Sequence, residues 1–431
     1  MRTLFFFDAY IIRQNPWAFQ PHLSTIFATI SRYWKAESLW DGIEPRILLT
    51  NFKPSSPAPF AVRLPPDAER ALREFSTVWD EHAVSAWCDL MQNKGVVAEL
   101  YWGILQYLAS KYGIECFAYW GSNHTVRRFC ETFGLKSVAM ELGPTRPPFR
   151  ETRYCDFAGV NGDAHTRGVD WRRFAPMDLS LWRQSGGIRY QDGARTDAMR
   201  RPLTTRHAAK VYRTDRPLAL VAMQLDDDSN CLIHSEYSGM LQMIKEVVPK
   251  LVGAGWRVLV KPHPGAAPER NAGGSRWMNV EGHEKSRLFI SENFSENDVV
   301  WLDDVPVSEY VSLLARIDAL VSVNSSMGFE AMLSGKIAVA LGNAPYNVGG
   351  GLPTLDDLIN GNIDMKSYCD YCARVGRLLL CHYLQPANLL SSPGTLSRAI
   401  RRNVLLADAY ERGGMAALTE AVKANPVELI A

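Results

Sequence analysis

Short apolar segments alternate with longer amphipathic ones along much of the chain, and the two kinds predict strands and helices. In the first half TLFFFDAY, RILLTN, IECFAYW and SVAMEL are brief, apolar and bounded by polar, Gly or Pro residues, as buried strands are. Between the second and third, Leu72, Phe75, Trp79, Ala83, Ala86 and Leu90 recur at three- and four-residue steps, which predicts a long helix. The rhythm is lost from Gly143 to about Lys210, where Pro, Gly, Asp and Arg accumulate, and long loops with a crossing between domains are expected there. From Pro217 it returns. LALVAMQL, WRVLVKPHP, VVWLDD, ALVSVNSS and IAVALG predict five strands. Helices are expected through Leu241, Ile244, Val248 and Leu251, through Tyr310, Leu313, Leu314 and Ile317, and over MGFEAMLSG. Strands alternating with helices imply parallel sheets, so the expected fold class is α/β, Rossmann-like in the second half.

A length of 431 residues calls for two domains with separate cores, and 47% apolar with 22% charged residues is the composition of a folded enzyme. The formal charge of +1 argues against nucleic-acid binding by charge alone. Charge is uneven, however: Arg146 to Arg216 holds fourteen Arg and one Lys against eight Asp or Glu. Such a connector is either a solvated basic linker or a surface that favours an anionic ligand. MRTLFFFDAYII is interrupted by Asp8 and reads as a first strand rather than a leader. No uncharged apolar run approaches the roughly 18 residues that cross a bilayer, so membrane contact is expected to be peripheral at most. Eight cysteines suggest reduced thiols and a cytoplasmic setting. Cys369, Cys372, Cys381 and His382 suggest zinc only weakly, because SYCDYCARVGRLLLCHYL looks helical and lacks a second matching pair.

Ligands of parallel sheets bind beyond the carboxyl ends of the strands, which directs attention to four places. Asp226, Asp227, Asp228 and Ser229 follow LALVAMQL, either as a wet acidic loop or as a source of a nucleophile or base. Lys261, Pro262, His263, Pro264 and Gly265 follow WRVLV, and the two prolines hold the imidazole in one direction, fit to contact a phosphate or protonate a leaving group. Asn324, Ser325, Ser326, Met327 and Gly328 open a helix, where N–H groups and hydroxyls suit a phosphate as well as ordinary capping. Glu141, before Leu142 and Gly143, ends the last strand of the first half.

At these residues the chain resembles the retaining β-Kdo glycosyltransferases of bacterial capsule and lipopolysaccharide O-antigen assembly. The carrying motifs are QLDDDS, KPHPG and NSSMGFEAMLSGKIAVALGNAPY, mainly over residues 217 to 346, with MELGP as a looser match in the first half. The resemblance implies a GT-B arrangement of two Rossmann-like domains facing a cleft. Residues 1–210 would form the acceptor-side domain with its Arg-rich connector, 211–385 the donor domain, and 386–431 a helical segment returning to the first. It implies CMP-Kdo as donor substrate and no metal. Asp228 would be the nucleophile, with Asp227 open as its neighbour; His263, Ser325 and Ser326 would hold the donor phosphate, joined by Lys261, Gln224 and Asn324. Glu141 would orient or deprotonate the acceptor, a saccharide that is free or lipid-linked, at the cytoplasmic face of the inner membrane.

Three other readings stay open. One is an inverting, sialyltransferase-like enzyme using CMP-sialic acid, and another a CDP-polyol phosphotransferase, since both pair an HP element with serines. The last is a non-catalytic GT-B scaffold that binds nucleotide.

Overall fold

A computed structural model describes residues 1–6, 16–48, 58–74, 81–145, 151–180, 203, 208, 210–211, 215–267, 277–302, 305 and 309–427. The chain divides into two compact units, one of Met1–Leu142, Arg153–His165 and Tyr383–Val427, the other of Gly143–Thr152 and Thr166–His382.

In the first unit seven strands are β1 (Arg2–Phe5), β2 (Glu44–Leu48), β3 (Ala61–Val62), β4 (Cys116–Trp120), β5 (Lys136–Leu142), β6 (Thr152–Asp156) and β12 (Gln385–Pro386). Their order is β12-β6-β5-β4-β1-β2-β3, with β1 to β5 parallel and β6 antiparallel to β5. Phe5, Ile47, Ala118, Val138 and Met140 pack in one core with Leu396, Ala399 and Ile400 of the helix Pro393–Ala424. Ser392 starts that helix by accepting from Thr395 N–H at 3.4 Å, with Pro393 in the first turn, where no N–H is needed. Four of the anticipated strands are present, though residues 7–10 of TLFFFDAY and 49–51 of RILLTN lie outside the described residues. The single helix expected over 72–90 is instead two, Pro66–Glu74 and Glu81–Met91, with Phe75 and Trp79 outside the described residues.

In the second unit β7 (Leu218–Ala222), β8 (Arg257–Lys261), β9 (Val299–Trp301), β10 (Ala319–Ser322) and β11 (Ile337–Ala340) are all parallel, in the order β11-β10-β7-β8-β9. This is the Rossmann order, with the chain reversing its direction of travel between β7 and β10. Uninterrupted burial of β7 and β10 follows from their apolar sequences, LALVA and ALVS, which face helices on both sides. The fold class is therefore α/β with two Rossmann-like units.

Residues 166–180, expected with the first domain, cluster with the second. Local bonds explain this: Thr166 Oγ1 donates to Pro345 O at 3.1 Å, Met177 N to Ala373 O at 3.1 Å, and Trp171 meets Tyr371 edge-on at 5.1 Å. Residues 181–202, with much of the Arg-rich connector, lie outside the described residues. No helix among the described residues is long and apolar enough to cross a membrane.

Candidate active site

The register of the second sheet sets the geometry. Lys261 of β8 pairs with Ala222 of β7, which pairs with Ser322 of β10, so the three strands end in one row. With neighbouring strands about 4.8 Å apart, the loops after them leave from adjacent points on one edge. Gln224, Asp226 to Asp228, His263, Asn324 and Ser325 stand on these loops, Lys261 ends β8 and Ser326 opens the following helix. Across the switch point Gln224 Nε2 donates to Asn324 Oδ1 at 2.8 Å, and Asn324 Nδ2 donates to Asn343 O at 3.2 Å.

Three consecutive aspartates take three different positions. Asp226 Oδ1 accepts from Met240 N–H at 2.6 Å, at the start of the helix Met240–Gly253, while its Oδ2 is buried without a hydrogen-bond partner. Burial pushes its carboxyl up to about 6, helped by Asp227 and opposed by the Met240 N–H. Asp227 is 1% exposed, and its N–H donates to Asn279 Oδ1 at 3.1 Å. Asp228 is half-buried and caps the short helix Ser229–His234, its Oδ1 accepting from Asn230 N at 2.9 Å and Nδ2 at 3.1 Å. A sequence of three like charges gives no sign of this division, because it arises from which helix end each carboxylate meets.

His263 is held at two points. Its Nδ1 accepts from Gly265 N–H at 3.0 Å, which leaves the ring proton on Nε2. Its backbone N–H donates to His283 Nε2 at 3.2 Å. His283 is 4% exposed, and burial lowers it to about 4 against the pull of the Asn279 backbone, so it is a neutral acceptor at physiological pH. A side chain on Gly265 would crowd the His263 ring at 3.0 Å and Leu225 at 3.2 Å.

Asn279, Gly282 and His283 share one face of the helix Trp277–Asn293. From that face Asn279 holds the Asp227 backbone, Gly282 makes room for Asp226 and His283 holds the His263 backbone. A Cβ at Gly282 would lie 1.9 Å from Asp226 Oδ2. One helix thus positions both the acidic loop and the HP loop. Motif reading missed it because polar residues interrupt the face it buries: Asn279 and Ser286 are 0% exposed beside buried Val280 and Ile290.

Ser325 caps the helix Ser326–Leu333, its Oγ accepting from Met327 N–H at 3.3 Å, which leaves its hydroxyl proton to donate outward. Gly328 N donates to Ser325 O at 2.9 Å and Tyr346 Oη to the same oxygen at 2.8 Å, so the turn is fixed from below. Arg167 Nη2 donates to Asn343 Oδ1 at 2.7 Å. This arginine comes from the basic stretch and is joined through Asn343 to Asn324 at the switch point.

Glu141 lies in the first unit, on β5 opposite Tyr154 of β6, and its Oε1 accepts from Leu142 N–H at 2.8 Å. The helix Met365–His382 leaves Cys369 exposed and Cys372 buried, and among the described residues no group of three or more His, Cys, Asp or Glu is placed to hold a metal ion.

Similarities to known proteins point to the same segment. Residues 188–358 match the model of the family described as capsule polysaccharide biosynthesis protein. No curated protein matches the chain. Among solved structures, Thermosulfurimonas dismutans KpsC, beta Kdo 2,7 transferase, is 15% identical, with 70% of this chain and 89% of that chain covered and a TM-score of 0.34. The beta Kdo 2,4 transferase structure of the same KpsC is 16% identical, with 65% and 84% covered and a TM-score of 0.39. UDP-GlcNAc 2-epimerase from Neisseria meningitidis is 11% identical, with 94% and 100% covered and a TM-score of 0.35. The resemblance read from QLDDDS, KPHPG and the serine motif is therefore borne out at the level of the family model, and over β7 to β11 the chain is similar to the capsule polysaccharide biosynthesis proteins.

Proposed function

We propose that the protein is a glycosyltransferase of bacterial surface polysaccharide synthesis that transfers Kdo from CMP-Kdo to a saccharide acceptor. The observation that carries this reading is the adjacency of β10, β7 and β8, which brings two hydroxyls, a carboxylate and an imidazole to one sheet edge within the segment that matches a capsule-synthesis family. His263 Nε2–H, the Ser325 and Ser326 hydroxyls and the helix start would bind the donor phosphate, with Lys261 and Arg167 as nearby cations. Gln224 and Asn324, already hydrogen-bonded to each other, would line the same site.

Asp228 is the best placed of the three aspartates for attack. Its Oδ1 caps the helix and its side chain is half-buried at the strand end, whereas Asp226 is braced by Met240 N–H and Asp227 is 1% exposed. In the first step Asp228 Oδ2 bonds to the anomeric carbon while the carbon–phosphate oxygen bond breaks, and CMP leaves with the electron pair. In the second an acceptor hydroxyl oxygen bonds to that carbon, Asp228 is released, and the hydroxyl proton goes to a base. Two inversions restore the configuration. The first unit, with Glu141, would serve the acceptor, free or lipid-linked, at the cytoplasmic membrane face.

Asp228→Asn separates chemistry from structure, because an Asn carbonyl caps the helix as well as Asp does. Transfer is expected to fall at least about a thousandfold, with CMP still raising the melting temperature as in the wild type. Intact-mass measurement after mixing with CMP-Kdo should show a Kdo adduct on wild type and none on the variant. Retained transfer in the variant rules out the nucleophile assignment, and stabilisation by UDP- or GDP-sugars in place of CMP rules out the donor class.

A further inference from the structure

The carboxyl edge of the first unit's sheet holds a second constellation, which the donor reading leaves unused. After β4 the chain passes Gly121 (φ 84) and Ser122 to Asn123, whose side-chain oxygen accepts from Val126 N–H at 3.1 Å and so starts the helix His124–Phe133. His124 therefore stands just beyond the end of β4, beside β1. In the order β5-β4-β1-β2-β3 this is the point of reversal, where open α/β sheets take ligands.

His124 Nε2 lies 2.9 Å from Asp163 Oδ1, the histidine side chain 37% exposed and the aspartate 13%. Asp163 is fixed in turn. It closes the turn Asn161–Asp163, entered with Asn161 at φ 53, and its N–H donates to Val160 O at 3.1 Å. Ser122 Oγ donates to Val160 O at 2.8 Å and accepts Val160 N–H at 3.2 Å, tying this turn to the end of β4. Gly159 (φ 134) lies so near that a Cβ there would be 2.5 Å from Asp163 Cβ.

A carboxylate on Nε2 places the ring proton there and the lone pair on Nδ1. Nδ1 makes no hydrogen bond among the described residues. The same unit supplies a contrast in His165 and Asp156, whose side chains are 1% and 0% exposed and sealed in the interior. The His124 pair, by contrast, is part-exposed at a ligand-taking strand end.

We propose that His124 and Asp163 bind a hydroxyl of the saccharide acceptor, the hydroxyl donating to His124 Nδ1. The proposal rests on the transferase reading above and adds the residues that engage the acceptor.

The test uses the full chain, CMP-Kdo, and oligosaccharides released from a bacterial capsular polysaccharide by mild acid. Transferred Kdo and released CMP are measured in the same reaction. In His124→Gln and in Asp163→Asn the ratio of transferred Kdo to CMP is expected to fall about a hundredfold; an unchanged ratio in both variants overturns the proposal. If wild type releases no CMP from CMP-Kdo, the donor assignment has failed, and 15N histidine spectra of the full chain then judge the dyad. His124 should be protonated at Nε2, with Nδ1 shifting as the oligosaccharides are added. Protonation at Nδ1, or a resonance that ignores the oligosaccharides, overturns it.

Discussion

Each unit sets aspartate into a polar cluster, and the two clusters are built differently. In the first, both oxygens of Asp156 are occupied: Oδ1 accepts from Ala158 N at 2.8 Å, and Oδ2 from His165 N at 2.9 Å and Tyr383 Oη at 2.7 Å. The His165 ring nitrogen Nδ1 lies 3.0 Å from the same oxygen. These bonds join β6, the turn after it and the returning C-terminal segment, so this carboxylate serves to hold the unit together. In the second unit Asp226 leaves one oxygen unmatched and Asp228 uses one in a helix cap. A buried carboxylate that accepts hydrogen bonds through both oxygens stabilises structure, whereas a half-buried one at the carboxyl end of a parallel strand stands where ligands bind.

The difference can be broken from either side. Asp156→Asn turns an acceptor oxygen into an NH2 facing donors, and should lower stability by about 3 kcal/mol in denaturant titrations. Asp228→Asn, with its cap intact, should leave the same titration nearly unmoved. Equal losses in the two variants would mean that both clusters are structural.

A smaller effect tests the clamp helix. Gly282→Ala drives a methyl into Asp226 Oδ2, and is expected to reduce stability by about 1–3 kcal/mol and to raise the KM for the donor, since the acidic and HP loops share this support. Unaltered donor kinetics with reduced stability would assign the helix to the core alone.

A further effect concerns pH. Asp226 stands near 6 when folded, above its ordinary 3.8, so the folded chain holds this proton more tightly. Its contribution to stability is then fullest below about pH 4, declines as pH rises to about 6 and is level beyond, spanning at most about 3 kcal/mol. Asp226→Asn should flatten that slope in melting curves recorded from pH 4 to 8 and melt no lower than wild type at pH 8. His283, lowered to about 4, acts in the opposite sense, favouring the fold as pH rises from about 4 to 6.5.

Much of this was legible in the residues. Strands β7, β8, β10 and β11 stand where apolar runs bounded by polar residues placed them, because a strand buried on both faces must be apolar throughout. Candidates after those strands were likewise readable, since parallel topology assigns ligands to carboxyl ends. The helix Trp277–Asn293 was not, for Asn279, His283 and Ser286 break the apolar period of its buried face. His124 and Asp163 were not either, as 39 residues separate them and their pairing depends on β6 folding back beside β5.

The sequence alone thus determined the class of fold, the positions of the strand ends and the residue types available there, all of which follow from local periodicity and turn chemistry. Tertiary structure decided which aspartate braces, which is buried and which caps, and it chose the partners of each histidine. Those outcomes depend on helix ends and side chains brought together from distant parts of the chain, and no local pattern encodes such distances.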